Sequence, residues 1–138
     1  MKLSGNKILI TGGASGIGLG LTERFVQEGN TVIICGRREA VLNEVASRLP
    51  GVITKVCDLS VEASRIELHN WIATNHPDLN VLVNNAGVSV KVRGDLLDVT
   101  PDSFDFVLGV NTRGTFFLTQ AFARRMRETL THCHRSII

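Results

Sequence analysis

Thr11-Gly12-Gly13-Ala14-Ser15-Gly16-Ile17-Gly18 follows the apolar run Ile8-Leu9-Ile10 and precedes an amphipathic stretch. That order reads as a strand, a tight glycine turn and the first turn of a helix. Glycines serve such a turn in two ways. They adopt backbone angles that a β-carbon forbids, and they let a phosphate approach the main chain. The N–H groups of the helix's first turn would then face the phosphate, with the helix dipole behind them. The chemistry on offer is binding of a phosphorylated ligand. No Gly-Lys-Ser/Thr follows the glycines, which disfavours a nucleoside-triphosphatase loop. Taken alone, the same residues also suit a plain tight strand-to-helix connection.

The elements around this turn decide between those readings. Ile17, Leu21 and Phe25 recur at helical spacing and predict a helix from about Ile17 to Glu28, stopped by Gly29. Thr31–Cys35 is a short β-branched run, a second strand. Arg38–Leu49 carries Val41/Leu42, Val45/Ala46 and Leu49 on one face before Pro50-Gly51 ends it. Val52–Cys57 reads as a third strand. Ser60 reads as the N-cap of the next helix, whose Leu68, Trp71 and Ile72 face inward before Asn75-His76-Pro77. Asn80–Asn84 is a fourth strand. Strand and helix thus alternate four times over short connections, which predicts an α/β doubly wound parallel sheet with right-handed crossovers.

Ligands of such sheets sit at the carboxyl ends of the strands. The polar and glycine residues collect there: Gly12–Gly18 after the first strand, Gly36-Arg37-Arg38 after the second, Asp58 after the third and Asn84–Gly87 after the fourth. Val88–Val99 is a connection whose Lys91, Arg93 and Asp95 read as surface charges. Thr100-Pro101-Asp102 opens a long helix as N-cap, first-position proline and first-turn acid, reaching about Glu128. Phe104, Val107, Leu108, Thr115, Leu118 and Phe122 form one stripe of it, and Asn111 falls on the same stripe. A polar amide facing a core needs partners, so Asn111 is either a structural bridge, the favoured reading on these grounds, or a site residue. Arg135–Ile138 reads as the opening of a fifth strand.

The 138 residues suit one domain, with 43% hydrophobic and 20% charged residues and a formal charge of +2. No apolar run approaches a membrane span, the amino terminus is polar, and no long basic run suggests nucleic acid, so the expected location is the cytosol. Arg124, Arg125 and Arg127 read as a solvated helix face. Cys35 and Cys57 read as buried, reduced thiols. His132-Cys133-His134 lacks metal-ligand spacing, and no metal site is expected.

Together these residues resemble the short-chain dehydrogenases/reductases. Thr11–Gly18 is similar to that family's Thr-Gly-x-x-x-Gly-x-Gly cofactor turn, and Asn84-Asn85-Ala86-Gly87 to its Asn-Asn-Ala-Gly. Asp58-Leu59 matches the acidic position that contacts adenine, and Asn111 the asparagine that anchors a water in the family's proton relay. The resemblance implies a Rossmann-type fold and hydride transfer between a nicotinamide and a carbonyl or alcohol. It implies cofactor contacts from Gly12, Ser15, Gly16, Ile17, Gly18, Arg37, Asp58, Leu59, Asn85, Ala86 and Gly87, with Asn111 as the catalytic residue.

Two features qualify this. The family's serine and Tyr-x-x-x-Lys are absent, and the 138 residues contain no tyrosine at all. The expectation is therefore an amino-terminal, cofactor-binding portion, inactive alone, whose reading frame continues past Ile138. The alternative is a non-catalytic dinucleotide-binding sensor or partner-binding module. The cofactor is expected to be NADP(H) in preference to NAD(H). Where an NAD enzyme places a carboxylate for the ribose 2′-hydroxyl, this chain has Gly36, and Arg37-Arg38 follow with guanidinium groups suited to a 2′-phosphate. Self-association is expected through the helix over 101–128, with Phe116, Phe117 and Phe122 on an uncovered face and only marginal stability as a monomer.

Overall fold

The computed structural model describes residues 3–90, 92–129 and 134–138. Lys91, and the His132-Cys133 part of the histidine–cysteine run, lie outside the described residues. The chain runs β1 (Lys7–Thr11), α1 (Gly16–Gln27), β2 (Thr31–Gly36), α2 (Glu39–Arg48), β3 (Ile53–Val56), α3 (Glu62–Asn75) and β4 (Val81–Val83). A short 3-10 turn (Leu96–Asp98) leads to α4 (Pro101–Leu108), a π-helical turn (Gly109–Gly114), α5 (Thr115–Thr129) and β5 (Ser136–Ile137).

The strands form one parallel sheet in the order β3-β2-β1-β4-β5. Strand residues alternate between two cores, as a pleated backbone requires. Leu9, Ile33 and Leu82 pack with α3 and α5 through Leu68, Ile72, Leu118 and Phe122. Ile8, Ile10, Val32 and Ile34 pack against α1 and α2 through Leu21, Phe25, Leu42 and Val45. The sheet is covered on both faces, the doubly wound α/β arrangement. β1 is central, and the chain reverses its direction of travel across the sheet between β1 and β4. At the opposite end of the strands, Asn6 donates from Nδ2 to Asn30 Oδ1 at 2.8 Å and accepts from Asn80 Nδ2 at 3.1 Å. The sequence reading overlooked this asparagine cluster.

Several expectations are corrected. The helix over 101–128 is interrupted. Thr100 does cap α4, accepting from Ser103 N, but the turn at Gly109–Gly114 has π geometry. One extra residue in that turn rotates α5 by about 100° relative to α4. The buried positions are consequently Val110, Gly114, Leu118, Phe122 and Met126, each four apart. Phe104, Leu108 and Asn111 are exposed, while Leu118 and Phe122 of the same stripe are buried, so Phe122 does not belong to the uncovered face with Phe116 and Phe117. On α1, Ile17 points to solvent while Gly18 and Thr22 face the sheet. A helix this close to the strands buries small residues at its first turn.

Val61, not Ser60, caps α3; the Ser60 hydroxyl donates to Asp58 Oδ1 at 2.7 Å. Arg125 is not merely solvated, since it donates to the carbonyls of Ala73 and Pro77 at the end of α3. Short as it is, β5 does pair with β4, Val81 opposite Ser136 and Leu82 opposite Ile137.

Candidate functional site

A cleft of about 340 Å³ opens at the carboxyl ends of the strands, where the chain switches from the β1–β2–β3 half to β4. Crevices at such switch points are where doubly wound sheets bind ligands. Thr11, the last residue of β1, holds the rim together. Its hydroxyl accepts the N–H groups of Asn85 and Ala86, both at 3.0 Å, and lies 3.4 Å from the Val83 carbonyl. The Asn85 side chain donates to the carbonyls of Thr11 at 3.0 Å and Gly12 at 3.2 Å. Gly12 N donates to the Cys35 carbonyl and Cys57 N to the Gly36 carbonyl, at 2.8 and 2.9 Å. Four strand ends are thus fastened to one another by main-chain and amide bonds.

The glycine turn needs its glycines for separate reasons. Gly12 and Gly16 have φ of +67° and +52°, in the left-handed region. Gly18 has an ordinary φ but lies so close to the turn that a β-carbon would collide with the Gly12 carbonyl and the Asn85 amide. The buried Thr22 hydroxyl stands 2.9 Å from the carbonyl oxygens of both Gly13 and Gly18, tying the helix back to its own turn. Ser15 occupies the N-cap of α1 with extended backbone and makes no side-chain capping bond. No side-chain cap takes up the donors of that first turn, and Ser15, Ile17 and Gly18 line the cleft.

The cleft wall includes Gly12, Ser15, Ile17, Gly18, Arg37, Asp58, Leu59, Asn85, Ala86 and Gly87. Two residues singled out from the sequence are not part of it, Gly16 and Asn111. Asn111 stands on the π-helical turn, and its amide is taken up by the Val88 peptide. Asp58 accepts from both the N–H and the hydroxyl of Ser60 through Oδ1, and its own N–H donates to the Ser64 hydroxyl oxygen at 3.0 Å. Arg37 lies on the rim, with its guanidinium 5.8 Å from the centre of the Phe106 ring.

Sequence reasoning missed other parts of the wall. Val110 reaches it from the π-helical turn, and Cys35 and Cys57 form part of its floor. Both cysteines are buried, free thiols, as expected, but their place at strand ends also put them at the ligand side. The Cys57 thiol donates to the Ser64 carbonyl at 3.6 Å. The neighbouring Cys57 thiol, then burial, pushes the Cys35 thiol well above its usual range, while its Cys35 neighbour pulls the Cys57 thiol down. No group of three or more His, Cys, Asp or Glu among the described residues is arranged to hold a metal ion.

The cleft fits a dinucleotide on its own geometry. Uncapped helix donors meet the left-handed glycines at one end. At the other, a β-carbon on Gly36 would meet nothing within 4 Å, and Gly36 and Arg37 both line the cleft. No helix among the described residues is long and apolar enough to cross a membrane.

Comparison with known proteins agrees. The family described as short chain dehydrogenase matches residues 6–131. The chain is 49% identical over 92 residues to the uncharacterized oxidoreductase DltE of Bacillus subtilis (strain 168), covering 67% of this chain and 36% of that protein. It is 35% identical over 130 residues to the NADP-dependent (R)-specific alcohol dehydrogenase of Lentilactobacillus kefiri, covering 92% and 51%. A solved 3-ketoacyl-(acyl-carrier-protein) reductase from Brucella melitensis, complexed with NADH, superposes with a TM-score of 0.84 at 32% identity, covering 92% of this chain and 52% of that one. The chain spans about half the length, or less, of these relatives. With its glycine turn, its Asn-Asn-Ala-Gly rim and its strand order, the chain belongs to the short-chain dehydrogenase/reductase family of oxidoreductases.

Proposed function

We propose that this chain forms the NADP(H)-binding part of an oxidoreductase acting on a carbonyl or alcohol of a small molecule. When bound, the nicotinamide supplies or accepts the hydride. The chain's own residues bind and orient. The first-turn donors of α1 and the turn Gly12–Gly18 hold the pyrophosphate, and Asp58, Leu59, Ala86 and Gly87 border the adenosine. Asn85 acts through the turn, because its amide donors are spent on Thr11 and Gly12.

The observation that carries the choice of NADP(H) is the open space at Gly36 beside Arg37. No carboxylate for a 2′-hydroxyl stands there, and the guanidinium that follows suits a 2′-phosphate. Asn111 is assigned to holding a water near the reacting end. Val88 engages one of its two side-chain N–H donors and one acceptor lone pair, which leaves the second N–H for that water. With no tyrosine in its 138 residues, the chain by itself binds cofactor and reduces nothing. Self-association is part of the same reading, through the α4–α5 face where Phe104, Leu108, Phe116 and Phe117 remain exposed. So is a cytosolic location, in keeping with the free thiols of Cys35 and Cys57.

The test is a fluorescence titration of NADPH and NADH with Arg37→Ala. Loss of a charge-assisted bond of about 1.5–3 kcal/mol should weaken NADPH about 10- to 100-fold. NADH should change by less than about twofold. Equal losses would overturn the NADP(H) assignment.

A further inference from the structure

The Arg37 guanidinium does not stand alone at the rim. It lies over the Phe106 ring, 5.8 Å from Cζ to the ring centre. The two residues come from different parts of the fold. Arg37 follows β2, whereas Phe106 belongs to α4, in the crossover after β4. No carboxylate among the described residues forms an ion pair with Arg37. What holds this exposed, four-torsion side chain on the cleft side is therefore an aromatic face.

We propose that Phe106 is a positioning residue for cofactor choice, carrying the Arg37 guanidinium so that its N–H edge meets the 2′-phosphate. The inference rests on the NADP(H) reading above. Its chemistry is that of a planar cation with two separate surfaces. The face attracts the π cloud, and the five N–H donors lie in the plane at the edge. Stacking and phosphate binding use different surfaces, so one does not cost the other. Without the ring, a long exposed arginine samples many rotamers, and binding must order it. With the ring, part of that ordering is already done. Phe106 lies four residues before Val110, which lines the cleft. The helix therefore brings a wall residue and the arginine's platform to the same side of the fold.

The test compares the 138-residue chain with Phe106→Leu, Phe106→Tyr, Arg37→Ala and the Phe106→Leu/Arg37→Ala double variant. Each is titrated with NADPH, NADH and adenosine 2′,5′-bisphosphate. Phe106→Leu should weaken NADPH and the bisphosphate about 3- to 10-fold, with NADH within about twofold. Phe106→Tyr, which keeps the ring, should restore wild-type NADPH affinity. In the double variant the leucine should cost nothing beyond the arginine loss. Wild-type NADH affinity reports an intact cleft, so a folding defect would show there. Equal weakening of NADH by Phe106→Leu, failure of Phe106→Tyr to rescue, or additive losses would overturn the proposal. Loss of NADPH and NADH alike in Arg37→Ala would instead overturn the NADP(H) reading beneath it.

Discussion

The Asn111 amide and the Val88 peptide face each other through two hydrogen bonds. Val88 N–H donates to Oδ1 at 2.8 Å, and Nδ2 donates to the Val88 carbonyl at 2.9 Å. The pair ties the π-helical turn to the segment leaving β4, across 23 positions of sequence. Asn111→Ala removes both bonds. The expected result is faster hydrogen exchange at the Val88 amide and a loss of about 1 kcal/mol in stability, at the low end because the group is exposed. Unchanged exchange at Val88 would show that the tie does not hold this segment.

Gly36 predicts a change in cofactor preference. A β-carbon there meets nothing within 4 Å, so Gly36→Asp should fold normally. Its carboxylate would stand where a ribose 2′-hydroxyl is held in NAD enzymes and would repel a 2′-phosphate. Titration should show NADPH weakened by about tenfold or more and NADH strengthened or unchanged. Stronger NADPH binding would contradict the placement of the 2′ position.

Two glycine-to-alanine changes should move stability in opposite directions. Gly114 in the π-helical turn is packed so that a β-carbon would collide with the Leu59 carbonyl, a main-chain atom without freedom to retreat. That carbonyl is also held by Arg65 Nη1. Gly114→Ala should cost about 3 kcal/mol or more in a urea titration. Gly20, inside α1, has open space around it and a negative φ. Gly20→Ala should stabilise by about 0.5–1 kcal/mol.

Acid should loosen the fold in two steps. Burial, and then the Lys7 charge, hold the His76 imidazole below its ordinary value of 6.5. The Lys7 hydrogen bond at 2.6 Å holds the Asp78 carboxyl below its ordinary value of 3.8. In both cases the unfolded chain takes up the proton first as pH falls. The stability each contributes is therefore present above its unfolded pKa and lost on acidification through the folded one. His76 is only partly buried and Asp78 is exposed, so solvent screening should keep each step to a few tenths of a kcal/mol. Thermal melts should decline slightly below about pH 6.5 and again below about pH 4, with the second step reduced in Asp78→Asn.

Much of this protein was written locally. β-Branched runs set β1 and β2, because such side chains favour a pleated backbone over a helix. The glycine turn and the Thr100-Pro101 start arise from backbone angles and caps that depend on a few neighbouring residues. Strand ends gather polar residues because a buried sheet can expose its chemistry only there, so most of the cleft wall was legible too. The tertiary structure decided what depends on distant neighbours. The phase of the helix over 101–128 could not be read from its own periodicity. Its π turn is where Gly114 packs against the Leu59 carbonyl, 55 positions earlier, and that turn moves Asn111 outward and Phe122 inward. The meeting of Cys35 and Cys57 in one cleft lining and the seat of Arg37 on Phe106 also required the assembled sheet. A sequence shows which side chain is available; only packing shows which surface it meets.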